Sequence, residues 1–385
     1  MLKFLTNTCQ YVAKIRNRHK PGSFPIKYFE CIQRQQQLPF PTPHLLTHQS
    51  SPQFHQNINT PKVSYTTSTM DNEWNYKEED ILHKFFFFNV LKNGRIHMFT
   101  PQDPGSKIVP PSDDPATGVK IKDVVISPDV SARMFLPGGA CTSTAKLPVV
   151  FYVHGGGFCL WSAFSIDYTS FLTRLVAECN VIAVSVEYGL FPTRPLPACY
   201  DDSWLALQWA ASHGGESTNS IIGSRDSWIT DYADLTRIFV GGDSAGGNIC
   251  HTLLSRVGKM GLPNEAKVEG MILIHPYFNE DDKMWMYMCP TNEGPKDPRL
   301  KPSLDDLAQL GCDRVLVLVA EKDFIKFAGV GYVEELKKSG WKGRLEFFES
   351  KDREHCFHIS NHMDCEAIAI NHRIKSFIHQ VNYVT

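Results

Sequence analysis

Ser244 lies between Gly242 and Gly246 in the stretch "VGGDSAGGN", residues 240–248, which follows the apolar run "IFV" and leads into "ICHTLLSRV". A glycine-rich turn between a strand and a helix either cradles phosphates or presents a nucleophile, and the neighbouring residue types separate the two. A Walker-type phosphate loop needs a Lys after its last Gly, where Asn248 stands, and the dinucleotide pattern G-x-G-x-x-G is not met. The pentapeptide 242–246 is instead G-x-S-x-G. That pattern suits a sharp, strained strand-to-helix turn in which bulky neighbours would collide with the adjoining elements. Ser244 is therefore a candidate nucleophile.

Three further groups would complete acyl-transfer chemistry. "YVHGGGF", residues 152–158, again follows an apolar run, and its consecutive glycines allow backbone N–H groups to face a cavity and hold the oxyanion of a tetrahedral intermediate. A serine needs a base and the base needs an orienting carboxylate, in the chain order Ser, acid, His for this kind of turn. Downstream, "VLVLVAEKD" ends a buried run with Asp323, with Glu321 as its competitor. "LEFFESKDREHCFHIS" then offers His355 and His358.

These groups require elements that bring them to one place. Continuous Val/Ile/Leu runs at 147–153, 181–186, 238–241, 271–275, 315–320 and 345–348 predict strands buried on both faces of a mostly parallel sheet. An early hairpin is expected from "VKIKDVVI" and "SARMFLP". Segments 171–177, 200–211, 245–257, 330–339 and 365–378 have helical periodicity. Strand then helix, repeated, predicts a doubly wound α/β fold, whose reactive groups collect at the carboxyl ends of the strands.

Composition sets the bounds. The chain of 385 residues is 42% hydrophobic and 21% charged, an ordinary globular balance, and its clean apolar runs are of strand length, far short of a membrane span. The formal net charge of −2 is unevenly spread: residues 1–70 carry eight Lys or Arg and the single acid Glu30. An acid-poor, Ser/Thr-rich leader of this kind predicts organelle import, to a mitochondrion or chloroplast. Met70 opens the acidic, aromatic "MDNEWNYKEED" and offers an alternative start for a cytoplasmic protein. The 11 cysteines include no C-x-x-C, which argues against a zinc site and a disulfide framework alike. No metal, cofactor or nucleic acid is expected, and the oligomeric state is not legible.

"KNGRI", "HGGGF", "AVSVEYGL", "GGDSAGGNICH", "HPYF", "LVAEKDF", "KKSGW" and "EHCFH" together resemble the plant carboxylesterases of the hormone-sensitive-lipase type, a group that also includes the gibberellin receptors. The resemblance runs from about residue 88 to the C-terminus. It implies an α/β-hydrolase fold at 70–385 behind a leader at 1–69, with cap elements near 71–110 and 279–303. It implies a catalytic triad of Ser244, Asp323 and His355, with oxyanion donors at the backbone N–H groups of Gly156, Gly157 and Ala245. His358, His251 and His275 are then packed or supporting residues, and Asp243 a buried acid that ties down the turn. By position Phe158, Cys159, Trp161 and Phe278 line the pocket, although each equally fits core packing.

Three departures stand out against the resemblance. Relatives carry an Arg at the place of Gly189 and Glu-His at Thr193-Arg194, which predicts a missing ion pair. "KDRE" replaces a glycine-rich approach to His355, and only "NEDDK" separates "HPYF" from "MWMYMCP", which predicts a shortened cap. The expected activity is hydrolysis of small to medium apolar carboxylic esters through an acyl-serine. A dehydratase or cyclase using the same triad, and a non-catalytic hormone receptor, are the alternatives.

Overall fold

A computed structural model describes residues 76–99, 103–140, 145–214 and 224–380. The leader at 1–69, and Met70 with it, lie outside the described residues. The chain divides into two units, residues 65–83 with 87–385 and residues 1–64 with 84–86, and every element that concerns the site below belongs to the first.

Three short strands come first: β1 (Ile81–Lys84), β2 (Phe88–Leu91) and β3 (Ile96–Met98). β2 and β3 pair antiparallel, with Phe88 opposite Met98. The main sheet has eight strands: β4 (Lys120–Ser127), β5 (Val130–Leu136), β6 (Leu147–Val153), β7 (Ile182–Glu187), β8 (Ala233–Asp243), β9 (Val268–Ile274), β10 (Arg314–Ala320) and β11 (Arg344–Ser350). Their spatial order is β11-β10-β9-β8-β6-β7-β5-β4. β4 and β5 form the expected hairpin, β5 pairs antiparallel with β7, and from β7 to β11 every pairing is parallel.

The parallel strands read as apolar runs because helices cover both faces. β6 and β10 are buried at every position. On one face, helices Ile166–Cys179 and Cys365–His379 enclose a core with Phe171, Leu172, Val176, Ile370, Ile374 and Phe377. Helix Ala245–Met260 follows β8 and buries Ile249, Leu253 and Leu254. The Gly261 N–H closes its last turn by donating to the Val257 carbonyl at 2.8 Å.

β8 begins ahead of the expected element, at Ala233 rather than 238. Its first residues, "ADLTR", are mostly polar because they lie at the sheet's amino-terminal margin, where Arg237 meets Glu269 at 3.3 Å and the register against β6 shifts between Pro148 and Val149. An apolar-run criterion does not detect such a strand start. At the opposite margin the order β6, β8, β9, β10 sets the ends of β6 and β8 side by side, with the ends of β9 and β10 next in line. That puts "HGGGF", Ser244 and Asp323 on one rim.

Close approach makes this rim intolerant of side chains. A Cβ at Gly246 would lie 2.0 Å from the Val153 carbonyl oxygen, backbone that pairs with β7 and β8 on its two sides and has no room to yield. Gly246→Ala is expected to destabilise the protein by more than about 2 kcal/mol, read as a lowered urea midpoint with unchanged slope.

Candidate active site

Between the end of β8 at Asp243 and the helix at Ala245, Ser244 adopts φ 51° and ψ −119°, a conformation costly for any residue with a Cβ. Its neighbours hold it there. The Ser244 N–H donates to the Ile274 carbonyl at 2.9 Å, and its own carbonyl accepts from the Tyr277 N–H at 3.0 Å. The hydroxyl is thereby presented above the rim.

The loop after β11 delivers His355 to that hydroxyl, with Nε2 2.9 Å from Ser244 Oγ. On the other side of the ring, Nδ1 lies 2.8 Å from Asp323 Oδ2. A carboxylate can only accept, so Nδ1 carries the proton and Nε2 is left as the acceptor for the serine O–H. Asp323 comes from the turn after β10, with its side chain fully buried, and its second oxygen accepts from the Ile325 N–H at 2.9 Å. The competitor Glu321 is exposed and accepts from the Asp352 N–H instead. A carboxylate, imidazole and hydroxyl in this chain can move the serine proton to Nε2 as Oγ attacks an acyl carbon.

Asp243, just before the serine, is 1% exposed and ties a strand, a helix and a loop together. It accepts from Tyr152 Oη at 2.8 Å, from Tyr168 Oη at 2.8 Å and from Cys356 Sγ at 3.5 Å. Tyr168 Oη in turn accepts from the Gly155 N–H at 2.8 Å. Burial pushes the Asp243 carboxyl above the ordinary range, opposed by the bonds from Tyr152, Tyr168 and Cys356. Burial, then the Asp243 charge, raises both tyrosines well above theirs, so they stay protonated as donors. Sequence reasoning found Asp243 but neither tyrosine: hydroxyls 91 and 75 positions away carry no local signal.

The glycine loop is shaped by contact. Gly156 has φ 106° and Gly157 φ 60°, and a Cβ on either would collide, at 2.1 Å with the Leu160 carbonyl oxygen and at 2.2 Å with the Phe87 ring. Gly155 is pinned by Tyr168. The far end is pinned by Glu187 at the end of β7, which accepts from Ser162 Oγ at 2.9 Å and from the Ala163 N–H at 2.7 Å. His154 stacks on Tyr188 with centroids 4.2 Å apart, and its Nε2 lies 3.9 Å from Glu187. Burial lowers His154 to about 4, so it is neutral.

The remaining histidines are packed. His358 is 1% exposed and burial, then His355, lowers it to about 3. His251 is held at about 4 by burial. His275 is lowered well below its usual value by burial and its histidine neighbours, and its Nδ1 accepts from the Cys356 N–H at 2.8 Å. Among the described residues, one group of His, Cys and acidic side chains is tight enough for a metal: His275, His355 and Cys356, with ligand atoms within 4.8 Å. Both nitrogens of its His355 are engaged by Ser244 and Asp323.

Of the four residues placed in the pocket by position, Phe158 packs on Tyr200 and Tyr277, and Phe278 stacks on Tyr332 at 4.9 Å. Cys159 is 5% exposed, whereas Trp161 is half-buried with its ring edge-on to Tyr168. Two aromatic neighbours went unnoticed in the sequence. Phe87 lies against Gly157, and Phe324 against His355 with centroids 5.0 Å apart.

The departures from the resembling family find physical accounts. The expected missing ion pair is replaced: Arg194 reaches over Gly189 and pairs with buried Asp202 at 2.6 Å and with Asp129 at 2.8 Å, while the Gly189 N–H donates to Asp202. In "KDRE", Asp352 takes φ 59° where a glycine would be at ease, and Lys322 with Asp352 and Arg353 with Asp364 clamp the loop. The segment 279–303 forms a six-residue helix, Lys283–Met288, plus a short turn. Asn248 anchors it by donating to the carbonyls of Tyr277 and Arg299, and Trp285 donates to Tyr200 Oη at 3.2 Å.

Comparison with known proteins agrees with this fold. Residues 150–359 match the model of the family described as alpha/beta hydrolase fold. The chain is 38% identical over 312 residues to a 2-hydroxyisoflavanone dehydratase of Glycyrrhiza echinata, spanning 75% of this chain and 93% of that one. It is 41% identical over 292 residues to probable carboxylesterase 1 of Arabidopsis thaliana, spanning 71% and 89%. An esterase from the archaeon Pyrobaculum calidifontis superposes with a TM-score of 0.54 over 67% of this chain and 85% of that one, at 24% identity, a likeness of fold.

Glu187 supplies a pH test. Burial pushes its carboxyl up to about 7, against the bonds from Ala163 and Ser162. The native state therefore holds this proton more tightly than the unfolded chain, where a Glu ionises near about 4.3. Its contribution is fully present below that value and is lost as pH rises toward 7. Glu187→Gln removes the term, so the stability of the variant relative to the parent should increase from pH 5 to pH 7.5 in paired urea titrations. A difference independent of pH would contradict the burial argument.

Proposed function

The chain belongs to the α/β-hydrolase family, in the group that holds the plant carboxylesterase and dehydratase relatives, and on that premise we propose that it is a serine carboxylesterase acting on small to medium apolar esters. The observation that carries the reading is the unbroken chain from Asp323 Oδ2 through His355 to Ser244 Oγ, with contacts of 2.8 and 2.9 Å.

In this reading Ser244 Oγ attacks the ester carbonyl as His355 Nε2 takes its proton, and Asp323 stabilises the imidazolium it orients. The oxyanion is received by the backbone N–H groups of Gly156, Gly157 and Ala245. Such preorganised donors cost no reorganisation during the reaction, each being worth about 10² to 10³ in rate. His355 then gives its proton to the departing alcohol, leaving an acyl-serine. Water enters on the same face, loses a proton to His355 and attacks the acyl carbon, and the acid leaves as Oγ recovers its hydrogen.

The segments 87–99 and 279–303 are proposed as the cover of the site. Their aromatic side chains support this: Phe87 rests on the glycine loop, and Phe88 packs on Phe191 and Tyr287. A compact cover fits small or medium acyl and alcohol groups. The hormone-receptor alternative is disfavoured by a His355 bonded to both Ser244 and Asp323.

Ser244→Ala should lower ester turnover by about 10⁶ and abolish labelling by a fluorophosphonate probe, and Asp323→Asn should cost about 10⁴ through loss of the correct tautomer. Turnover retained by Ser244→Ala would refute the assignment. Product analysis separates hydrolysis, which releases an acid and an alcohol in equal amounts, from the elimination implied by the dehydratase relative's name.

A further inference from the structure

The segment that follows β9 is bonded to the carriers of all three triad members. Ile274 ends β9, and its carbonyl accepts from the Ser244 N–H at 2.9 Å; three residues on, the Tyr277 N–H donates to the Ser244 carbonyl at 3.0 Å. Between those two bonds stands His275, with φ 48° and 1% exposure. Its own N–H donates to the Leu318 carbonyl at 2.8 Å, which ties it to β10, the strand that delivers Asp323. Its ring reaches the third carrier: Nδ1 accepts from the N–H of Cys356, the residue after His355, at 2.8 Å. Cys356 lies in the left-handed region at φ 51° and ψ 26°, a costly place for a residue with a Cβ, and its Sγ donates to Asp243 at 3.5 Å.

Packing alone does not call for a histidine at 275. The ring lies among those of His355, Phe357 and His358, with centroids 5.8, 5.8 and 5.3 Å away. Because Nδ1 accepts, the neutral ring carries its proton on Nε2, and that buried nitrogen has no hydrogen-bond partner among the described residues. An unsatisfied buried donor is a cost that a phenylalanine of similar shape would avoid. What phenylalanine lacks is an acceptor for the Cys356 N–H.

We propose that His275 is a positioning residue: its Nδ1 fixes Cys356, and through Cys356 it sets the distance and orientation of the His355 ring toward Ser244 Oγ. The inference rests on the serine-esterase reading. His355 must take a proton from Oγ across 2.9 Å and return one to the departing alcohol, and both transfers weaken steeply as the ring drifts. Without the bond from His275, Cys356 keeps only its Sγ contact with Asp243, and the strained backbone beside the base is free to relax. Ser244 and Asp323 keep their own bonds to Ile274 and Ile325, so the loss falls on the base.

His275→Phe and His275→Asn separate this role from packing. Phe keeps a ring and removes the acceptor, whereas Asn removes the ring and keeps an acceptor, its Oδ1 occupying the place of Nδ1. Ethyl acetate and p-nitrophenyl acetate are the substrates, with rates referred to the serines titrated to completion by the fluorophosphonate probe. His275→Phe should lower kcat/KM for ethyl acetate by about 10². The loss should be smaller for p-nitrophenyl acetate, whose leaving group departs without a proton from His355. His275→Asn should recover most of the ethyl acetate rate, even though it leaves a cavity and unfolds at lower urea. If His275→Phe is insoluble, His275→Gln, polar but with no acceptor at the Nδ1 position, takes its place with the same expected pattern. Parental kcat/KM in His275→Phe would overturn the proposal while the esterase reading stands. So would an equal loss on the two acetates, or losses that follow the stabilities of the variants instead of the acceptor. A wild-type protein that hydrolyses neither acetate and resists the probe would overturn both.

Discussion

A single buried carboxylate holds the working parts in register. Asp243 cannot be solvated where it sits, and a charge in that position is tolerable only with donors around it. The donors come from three directions: Tyr152 from β6, Tyr168 from the helix behind the glycine loop, and Cys356 from the base loop. Each bond needed to support the carboxylate also fixes a segment that must be fixed for acyl transfer. Tyr168 extends the arrangement to the Gly155 N–H, so the loop, the serine turn and the histidine loop share one network. In a low-dielectric interior such a network is rigid when complete and costly when broken.

The strain at Ser244 becomes affordable within this frame. A non-glycine residue at φ 51° and ψ −119° persists only where its surroundings over-determine it. The parallel pairing of β8 with β9 delivers the Ile274 carbonyl to the Ser244 N–H, and the Asp243 network holds the residue before it. Glycines at 242 and 246 then serve a steric need, since backbone from β6 passes within contact of both.

Much of this was legible before the fold was known. The continuous apolar runs located the inner strands, and G-x-S-x-G, the glycine triplet, Asp323 and His355 each fell after such a run. The rest was hidden for definable reasons. The first residues of β8 are polar at a margin of the sheet, so no apolar run marks them. Tyr152 and Tyr168 read as ordinary core aromatics, because nothing near them in sequence shows a carboxylate waiting in space. Gly189 and Thr193 marked a lost pair, whereas Arg194, reaching across Gly189 to Asp202, restores one by a different route. Phe324 is one apolar residue among many until its exposure beside His355 is seen.

The threading of the site through the chain has a consequence for how the protein comes into being. Ser244 and His355 stand 111 positions apart, and Asp323 and His355 a further 32 within that span. Contacts of such range form slowly, after the loops between them have closed. Synthesis runs from the N-terminus, so a growing chain exposes the glycine loop and the serine turn well before the strand and loop that supply the base exist. Until then Asp243 lacks its Cys356 donor, and the serine turn has no proton acceptor. Catalytic competence therefore arrives last, and an unfinished chain carries an inert serine through the cell.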